Sequence, residues 1–136
     1  MNRTGQYFEV ELKQAHLGWG THRHTDTRGK IDKEAYIPIP AKDAYYFKLT
    51  NRNATNGEDI VGANLFYCES RDGLFREMLL AQGCQGQGQN ALFAKQFSVP
   101  NDLKALGYWY EAIGAEVGDY LRLTWISNTE LQIELL

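Results

Sequence analysis

The sequence predicts a single, mainly β domain with the architecture of a barrel or a sandwich. Seven short segments alternate polar with apolar residues or are rich in β-forming residues, and each is bounded by Gly, Pro, Asn or Asp. Strands at this spacing favour a barrel or sandwich over a parallel sheet with helical crossovers. The chain has 136 residues, 43% of them hydrophobic, which is enough for one core, so we expect one domain over residues 1–136.

The predicted strands follow one another along most of the chain. Two prolines, Pro38 and Pro40, predict that the second strand lies at a sheet edge or ends in a bend, because proline cannot donate to a β-ladder. The seven strands are predicted at Tyr7–Leu12, Ala35–Ile39, Tyr46–Thr50, Asn64–Glu69, Leu74–Ala81, Tyr120–Ser127 and Glu130–Leu135.

Helices are predicted only in short stretches. Good helix formers after a proline predict one helix within Pro40–Lys48, a second is expected at Ala91–Phe97, and Pro100–Leu106 adds a possible third turn. Between these elements, Asn51–Gly57 is a turn-rich loop, and the sequence Arg-Asp-Gly at 71–73 indicates a hairpin. The strands therefore supply the framework, and the helices are minor additions.

The composition excludes several classes of protein. No window approaches the roughly 20 apolar residues that a membrane span needs, and the amino-terminal residues lack the apolar run of a signal peptide. We therefore expect a soluble, cytoplasmic protein with no membrane partner. Cys68 and Cys84 form no Cys-x-x-Cys pair, and we expect both to be buried free thiols.

Charge is distributed unevenly along the chain. Residues 13–33 carry five Lys or Arg against two Asp, together with all three histidines, whereas residues 101–136 carry six acidic residues against two basic ones. The net charge of −3 argues against a protein that coats nucleic acid through bulk electrostatics. One positive feature on an acidic body instead favours oriented docking to a partner.

The positive segment, Gly18–Lys33, has three interpretations: a solvated loop, half of a metal site, or an arm that binds a partner. His22, His24 and Asp26 form the His-x-His-x-Asp pattern of binuclear zinc hydrolases, but only His16 remains to complete the ligand set. We therefore expect no metal and no cofactor. Nuclease, acyl-transfer and nucleotide-binding motifs are also missing, so we expect no catalytic residues and no enzyme activity in this chain.

A second polar loop, Gly83–Asn90, alternates glycines with amide side chains. Gln and Asn amides can pair bidentately with adenine, and Arg and Lys of the first loop can pair with guanine or with phosphates. Glycines let a backbone approach a ligand closely. Two such loops on a rigid β body could contact a DNA groove without a recognition helix.

The order of these segments resembles the DNA-recognition domain of NgoFVII-type restriction endonucleases of bacteria. The likeness covers roughly residues 15–98, and its most specific part is the sequence EAYIPIP at Glu34–Pro40. The remaining parts are the Gly-Trp-Gly turn at 18–20, the basic arm, the aromatic pair before Phe47, Asp72-Gly73 with Phe75, LLAQ at Leu79–Gln82 and NALFAKQF at Asn90–Phe97.

This resemblance implies a specific fold and partner. Such domains are similar to the plant B-three DNA-binding fold and to the effector domains of EcoRII-like and BfiI-like enzymes. That fold is a seven-stranded open pseudobarrel with two short helices, and two arms hold the major groove of double-stranded DNA. Here the arms would be Gly20–Lys33 and Gly83–Asn90. Family members carry this domain behind a phospholipase-D-like nuclease domain, so a fused or separate nuclease is the further partner implied.

These considerations predict a sequence-specific DNA-binding module of a restriction or related defence system. Trp19 has two interpretations, since it can fill the core or stack on a base. The restriction-enzyme domains commonly have a lysine where this chain has Gln85 and Gln87. The alternative is a non-catalytic β-barrel module that binds a protein or a small ligand through the same loops.

For the DNA-binding module, base readout is assigned to Arg23, Arg28, Gln85, Gln87, Gln89 and Asn90. Supporting contacts are assigned to Trp19, Thr21, His22, His24 and Thr25, and phosphate contacts to Lys13, Lys30, Lys33 and Lys95.

Overall fold

The computed structural model describes residues 2–17 and 34–136, and the fold is mainly β, as predicted. Seven strands form one sheet in the order β1-β6-β7-β3-β4-β5-β2, which curls into a nearly closed barrel with an unsealed seam. The strands are β1 (Tyr7–Glu11), β2 (Ile37–Pro38), β3 (Leu65–Ser70), β4 (Arg76–Gln82), β5 (Gln96–Ser98), β6 (Tyr120–Ser127) and β7 (Glu130–Leu135).

Three short α-helices and two 3-10 helices complete the described part. They are α1 (Gln14–Leu17), α2 (Ala41–Phe47), α3 (Ala105–Ala112) and the 3-10 helices Arg52–Thr55 and Gly88–Leu92. The resemblance implied two short helices, and the third is the single turn α1. No helix among the described residues is long and apolar enough to cross a membrane.

Alternation along the strands puts one face of each strand into the core. In β6, Leu121, Leu123 and Trp125 are buried, and the residues between them face outward. Rings meet at the centre of the barrel, where Trp125 contacts Phe66 with ring centroids 5.2 Å apart. The buried side chains therefore come from strands that are distant in sequence, and this arrangement stabilises the barrel through removal of apolar surface from water.

One of the seven strands does not lie where the sequence predicted it. Instead of a strand at Tyr46–Thr50, helix α2 runs to Phe47 and ends at Lys48, whose φ of 58° lies in the left-handed region and whose N–H donates to Ala44 O. Only Thr50 makes an isolated bridge, with Phe93. The prediction of seven strands is correct in number, and one position is wrong.

The missing strand is β5, which lies where the sequence predicted a helix at Ala91–Phe97. The N–H of Ala94 donates to Leu49 O and that of Lys95 to Gln82 O, both at 2.9 Å. These long-range bonds keep the backbone extended, and Phe97 is fully buried against Phe66. Helix propensity is weak compared with tertiary hydrogen bonds and burial, so the prediction of a helix here is wrong.

Two further sequence predictions are confirmed by the sheet. Strand β2, which contains Pro38, lies at one edge, next to β5, and the residues around 71–73 form the turn between β3 and β4. The predicted third turn at Pro100–Leu106 starts later, as helix α3 at Ala105. Of the two cysteines, Cys68 is buried as expected, but Cys84 is exposed because it follows β4 in a loop.

One end of the barrel is stabilised by a buried arginine that the sequence analysis did not identify. Arg3 is only 7% exposed, and its guanidinium donates to the carbonyl oxygens of Phe47 (2.9 Å), Gly62 (3.0 Å) and Asn128 (2.8 Å). It also lies over the rings of Phe66 and Trp125, about 5 Å from each centroid. This one cation therefore joins the amino terminus to three loops at one end of the barrel.

Candidate nucleic-acid interface

The first predicted arm lies outside the described residues. The structure describes the chain up to Leu17 and again from Glu34, so nine predicted contact residues are not placed. They are Trp19, Thr21, His22, Arg23, His24, Thr25, Arg28, Lys30 and Lys33.

The flanks of the first arm are held together. The N–H of Tyr36 donates to His16 O at 3.3 Å, and the two rings meet edge to face with centroids 5.5 Å apart. Leu17 before the arm and Ala35 after it are buried in the core. The arm therefore begins and ends at one fixed point of the barrel.

His16 stabilises the start of this arm as a neutral side chain. Its Nδ1 accepts a hydrogen bond from the backbone N–H of Lys13 at 2.9 Å, across the first turn of α1. Burial lowers the pKa of His16, and the nearby Lys13 ammonium lowers it further. Both effects keep the imidazole unprotonated, which is the form that can accept this bond.

The second predicted arm is described, and most of it is exposed. It leaves the end of β4 at Gln82 and returns to β5 at Gln96, with a 3-10 helix over Gly88–Leu92. The side chains of Gln87, Gln89 and Asn90 lie on its exposed part. Three of the four predicted readout residues of this arm are therefore accessible to a ligand.

Gln85, the fourth of these residues, is half-buried and its amide group binds the protein itself. Its Nε2 donates to Ile39 O at 2.7 Å and to Ala94 O at 2.9 Å, and its backbone N–H donates to Phe93 O. Both amide hydrogens are thus used within the fold. In this structure Gln85 connects the arm to the segment after β2.

A buried asparagine supports the arm from below. Asn51, which is 5% exposed, donates from Nδ2 to Gly83 O at 2.6 Å and to Ala91 O at 2.8 Å. Its backbone N–H donates to Leu92 O, and Asn53 adds a bond to Ala91 O. Asn51 therefore closes the two ends of the arm onto each other. The sequence analysis assigned this asparagine only to a turn-rich loop.

The glycine at the base of the arm is required by its conformation and its surroundings. Gly83 has a φ of +77°, which side chains other than glycine rarely adopt. A Cβ at this position would come within 2.7 Å of Cγ of Lys95. The stem of Lys95 thus packs across Gly83, and the predicted phosphate-binding lysine lies at the base of the second arm.

Strand directions place the flanks of the first arm and the second arm at opposite ends of the barrel. Strand β2 is antiparallel to β5, which is antiparallel to β4, and the pairings through β3, β7 and β6 make β1 antiparallel to β2. The end of β1 and the start of β2 therefore face one end of the barrel. The end of β4 and the start of β5 face the other end, so strands β4, β5 and β2 run between the flanks of the first arm and the second arm.

An open cleft of about 610 Å³ lies across this region. It reaches from Glu34, directly after the first arm, to Gln82, directly before the second. Its outer side includes Arg52, whose Nε and Nη2 donate to the two carboxylate oxygens of Asp59 at 2.6 and 2.8 Å. The polar residues that line the cleft are Glu34, Arg52, Gln82, Ser98, Asn101, Asp102 and Lys104.

Several cations near the arms are not neutralised by neighbours. Arg71 and Arg122 each pair with a carboxylate on the outside of the barrel. Within residues 2–17 and 34–136, in contrast, Lys13, Lys95 and Lys104 have no carboxylate partner. They lie beside the first arm, at the base of the second arm and in the cleft between them. These three lysines can therefore meet an anionic ligand in this region, whereas Lys48, also without a carboxylate partner among the described residues, lies at the end of α2.

Comparisons with known proteins show the fold. No protein-family model matches the sequence, and no curated protein matches it significantly. Among solved structures, a hypothetical Arabidopsis thaliana protein has a TM-score of 0.52 at 9% identity and covers 100% of this chain and 94% of its own. The N-terminal domain of Helicobacter pylori LlaJI.R1 has a TM-score of 0.50 at 8% identity, and the match covers 96% of this chain and 87% of that domain.

A third similar structure, the Arabidopsis FUS3–DNA complex, has a TM-score of 0.45 at 14% identity and covers 94% of this chain and 93% of its own. The architecture itself is a mainly β, seven-stranded open pseudobarrel with short helices. This is the seven-stranded architecture that the sequence resemblance implied.

Proposed function

We propose that this protein is a sequence-specific double-stranded DNA-binding module that contacts the major groove with two arms and has no catalysis of its own. The observation that carries the proposal is that the flanks of the first arm and the whole second arm lie at opposite ends of strands β4, β5 and β2, beside one open cleft. A rigid body with a projecting polar loop on each side can straddle a duplex, and each arm then reaches base edges.

The readout residues of the second arm are Gln87, Gln89 and Asn90. Their amides can pair with N6 and N7 of adenine. The loop that carries them is closed by Asn51 and connected to the barrel by Gln85, so little conformational entropy is lost when it binds. Preorganisation of this kind favours sequence-specific binding over nonspecific binding to DNA.

The first arm supplies the guanine-reading side chains, Arg23 and Arg28. Trp19, Thr21, His22, His24 and Thr25 add contacts within the same arm. Lys13 and Lys95, beside the two arms, contact phosphates together with Lys30 and Lys33. Phosphate contacts orient the domain on the duplex, and base contacts determine which sequence is bound.

Charge supports oriented docking. Residues 18–33 carry four Lys or Arg against two Asp, and the rest of the chain carries ten against fifteen acidic residues. The acidic body is repelled by phosphates and the arm region attracts them, so the domain approaches DNA with its arms first.

Selection of bound duplexes from a randomised library tests this function. We expect one enriched sequence and an affinity that falls with salt. Arg28→Ala should cost about 1 to 3 kcal/mol and relax one position of the site. Arg71→Ala is a matched control, since Arg71 lies on the β3-β4 turn and pairs with Glu134. Lack of any enriched sequence would contradict the proposal and favour a protein or small-molecule ligand.

The biological context we propose is the specificity part of a restriction or related defence system in the cytoplasm, acting with a nuclease domain or subunit. Incubation of the purified chain with its selected duplex and Mg²⁺ tests the absence of catalysis. We expect full-length DNA at every time point. Strand cleavage that persists through further purification would show that the chain is itself a nuclease.

A further inference from the structure

Arg52 has an unusual position, because it contributes to the cleft and also borders the base of the second arm. It lines the cleft of about 610 Å³ and also a smaller adjoining cavity of about 220 Å³ that includes Gly83 and Cys84. A duplex that enters this cleft therefore meets Arg52. The sequence analysis predicted no function for Arg52.

The side chain of Arg52 is fixed in one orientation by Asp59. Nε and Nη2 of Arg52 donate to the two oxygens of this carboxylate, at 2.6 and 2.8 Å. A guanidinium has five N–H donors, and this bidentate pair uses two of them. The other three are available, and the side chain is 51% exposed.

The backbone of Arg52 is fixed as well. Its carbonyl oxygen accepts the N–H of Gly57 at 2.9 Å, which closes the turn that begins at residue 52. The preceding residue is the buried Asn51, which also closes the second arm. Arg52 and the second arm therefore share one support, so their relative position is set before any ligand binds.

We propose that Arg52 donates to a phosphate of the DNA backbone between the two arms, and that Asp59 is a positioning residue that holds the guanidinium for this contact. The inference rests on the proposed function and adds a contact that lies on neither arm. A phosphate is the expected ligand because the phosphates are the outermost groups of a duplex. The arms project into the groove, and the surface between them meets its rim.

Substitution of Asp59 provides a test, because two explanations predict opposite changes in the affinity for DNA. If Asp59 only repels DNA, Asp59→Asn removes a negative charge and strengthens binding. If Asp59 orients Arg52, the same substitution lets the arginine move, and affinity for the selected duplex falls by about two- to tenfold. Asp102→Asn is the matched control, because Asp102 lines the cleft and has no basic partner among the described residues. It should strengthen binding.

Arg52→Ala tests the phosphate contact directly. We expect about tenfold weaker binding to the selected duplex and to a random duplex alike, and a salt slope reduced by about 0.9. Arg122→Ala and Glu9→Gln are controls, because Nε and Nη2 of Arg122 donate to Oε2 of Glu9, at 2.8 and 2.6 Å, on strands away from the cleft. Both controls should bind like the unmodified protein.

Other outcomes have defined meanings. Relaxed specificity at one base pair in Arg52→Ala would overturn the phosphate assignment, and unchanged binding would overturn the contact altogether. Stronger binding by Asp59→Asn would overturn its positioning role. Thermal unfolding of each variant confirms that it folds. If the unmodified protein binds no duplex, the proposed function fails first; if it binds and Arg52→Ala has no effect, only this inference fails.

Discussion

Asn51 and Gly83 lie 32 residues apart in the chain and are joined by a hydrogen bond of 2.6 Å from Asn51 Nδ2 to Gly83 O. The second hydrogen of the same amide is donated to Ala91 O at 2.8 Å. One buried side chain therefore fixes both ends of the exposed second arm. The shape of the proposed DNA-binding surface depends on this contact as much as on the residues that would touch DNA.

Replacement of Asn51 should destabilise the whole domain. Asn51→Ala removes the donor to Gly83 O and one of the two side-chain donors to Ala91 O, and we expect a loss of about 1 to 3 kcal/mol in the free energy of unfolding. Urea denaturation measures this loss. Asn53→Ala is a matched control: Asn53 also donates to Ala91 O, but from an exposed position where water can replace it, so stability should change by less than about 0.5 kcal/mol. Equal losses in the two variants would show that the bonds of Asn51 stabilise the fold no more than those of Asn53.

Two glutamines of the same arm should behave differently. Gln85→Ala removes two bonds to backbone carbonyl oxygens, so it should lower stability by about 1 to 2 kcal/mol. Gln87→Ala removes an exposed amide, so stability should stay within about 0.5 kcal/mol while specificity relaxes at one base pair. Denaturation and duplex selection distinguish these effects. If Gln85→Ala changed specificity without loss of stability, its proposed connecting role would be wrong.

Thiol labelling should locate the DNA on the second arm. Cys84 is exposed in this arm, and Cys68 is fully buried, where burial also raises the pKa of its thiol. The reactive thiolate form is thus suppressed at Cys68. We expect an alkylating reagent to modify only Cys84 in the folded protein, and the selected duplex to slow this reaction. Cys68 is the internal control, and an unchanged rate at Cys84 under saturating duplex would place the DNA elsewhere.

Stability should fall when the pH is lowered through the range in which His16 titrates. Burial, and then Lys13, hold the pKa of His16 in the folded protein below its ordinary value of about 6.5. The unfolded chain therefore binds the proton first. The stabilisation from neutral His16 is fully present above pH about 6.5 and is lost as the pH falls through the lower, folded-state pKa.

His16→Asn isolates this contribution. An asparagine retains an acceptor for the N–H of Lys13 but does not titrate. The difference in unfolding free energy between the two proteins should change with pH below about 6.5 and stay constant above pH 7.5. Urea denaturation at a series of pH values measures it. A pH-independent difference would show that His16 keeps its ordinary pKa.

The strands with the clearest alternation were predictable from local pattern. Strands β6 and β7 have the predicted bounds, Tyr120–Ser127 and Glu130–Leu135, because every second side chain is apolar and the turn between them is polar. Helix α2 and the edge position of β2 were predictable too, since proline restricts its own backbone and cannot donate. These features depend on neighbours within a few residues.

Contacts between distant segments were not predictable in this way. The segment that leads into β5 was assigned to a helix because its extended backbone depends on bonds from Ala94 and Lys95 to Leu49 O and Gln82 O, which no local pattern reveals. Two other contacts also form only when loops meet after the barrel closes. One joins Arg52 to the carboxylate of Asp59, and the other joins Arg3 to backbone carbonyl oxygens. Local residue patterns identified a polar arm at Gly83–Asn90, whereas long-range hydrogen bonds set its shape, since only closure of the barrel brings Asn51 beneath it.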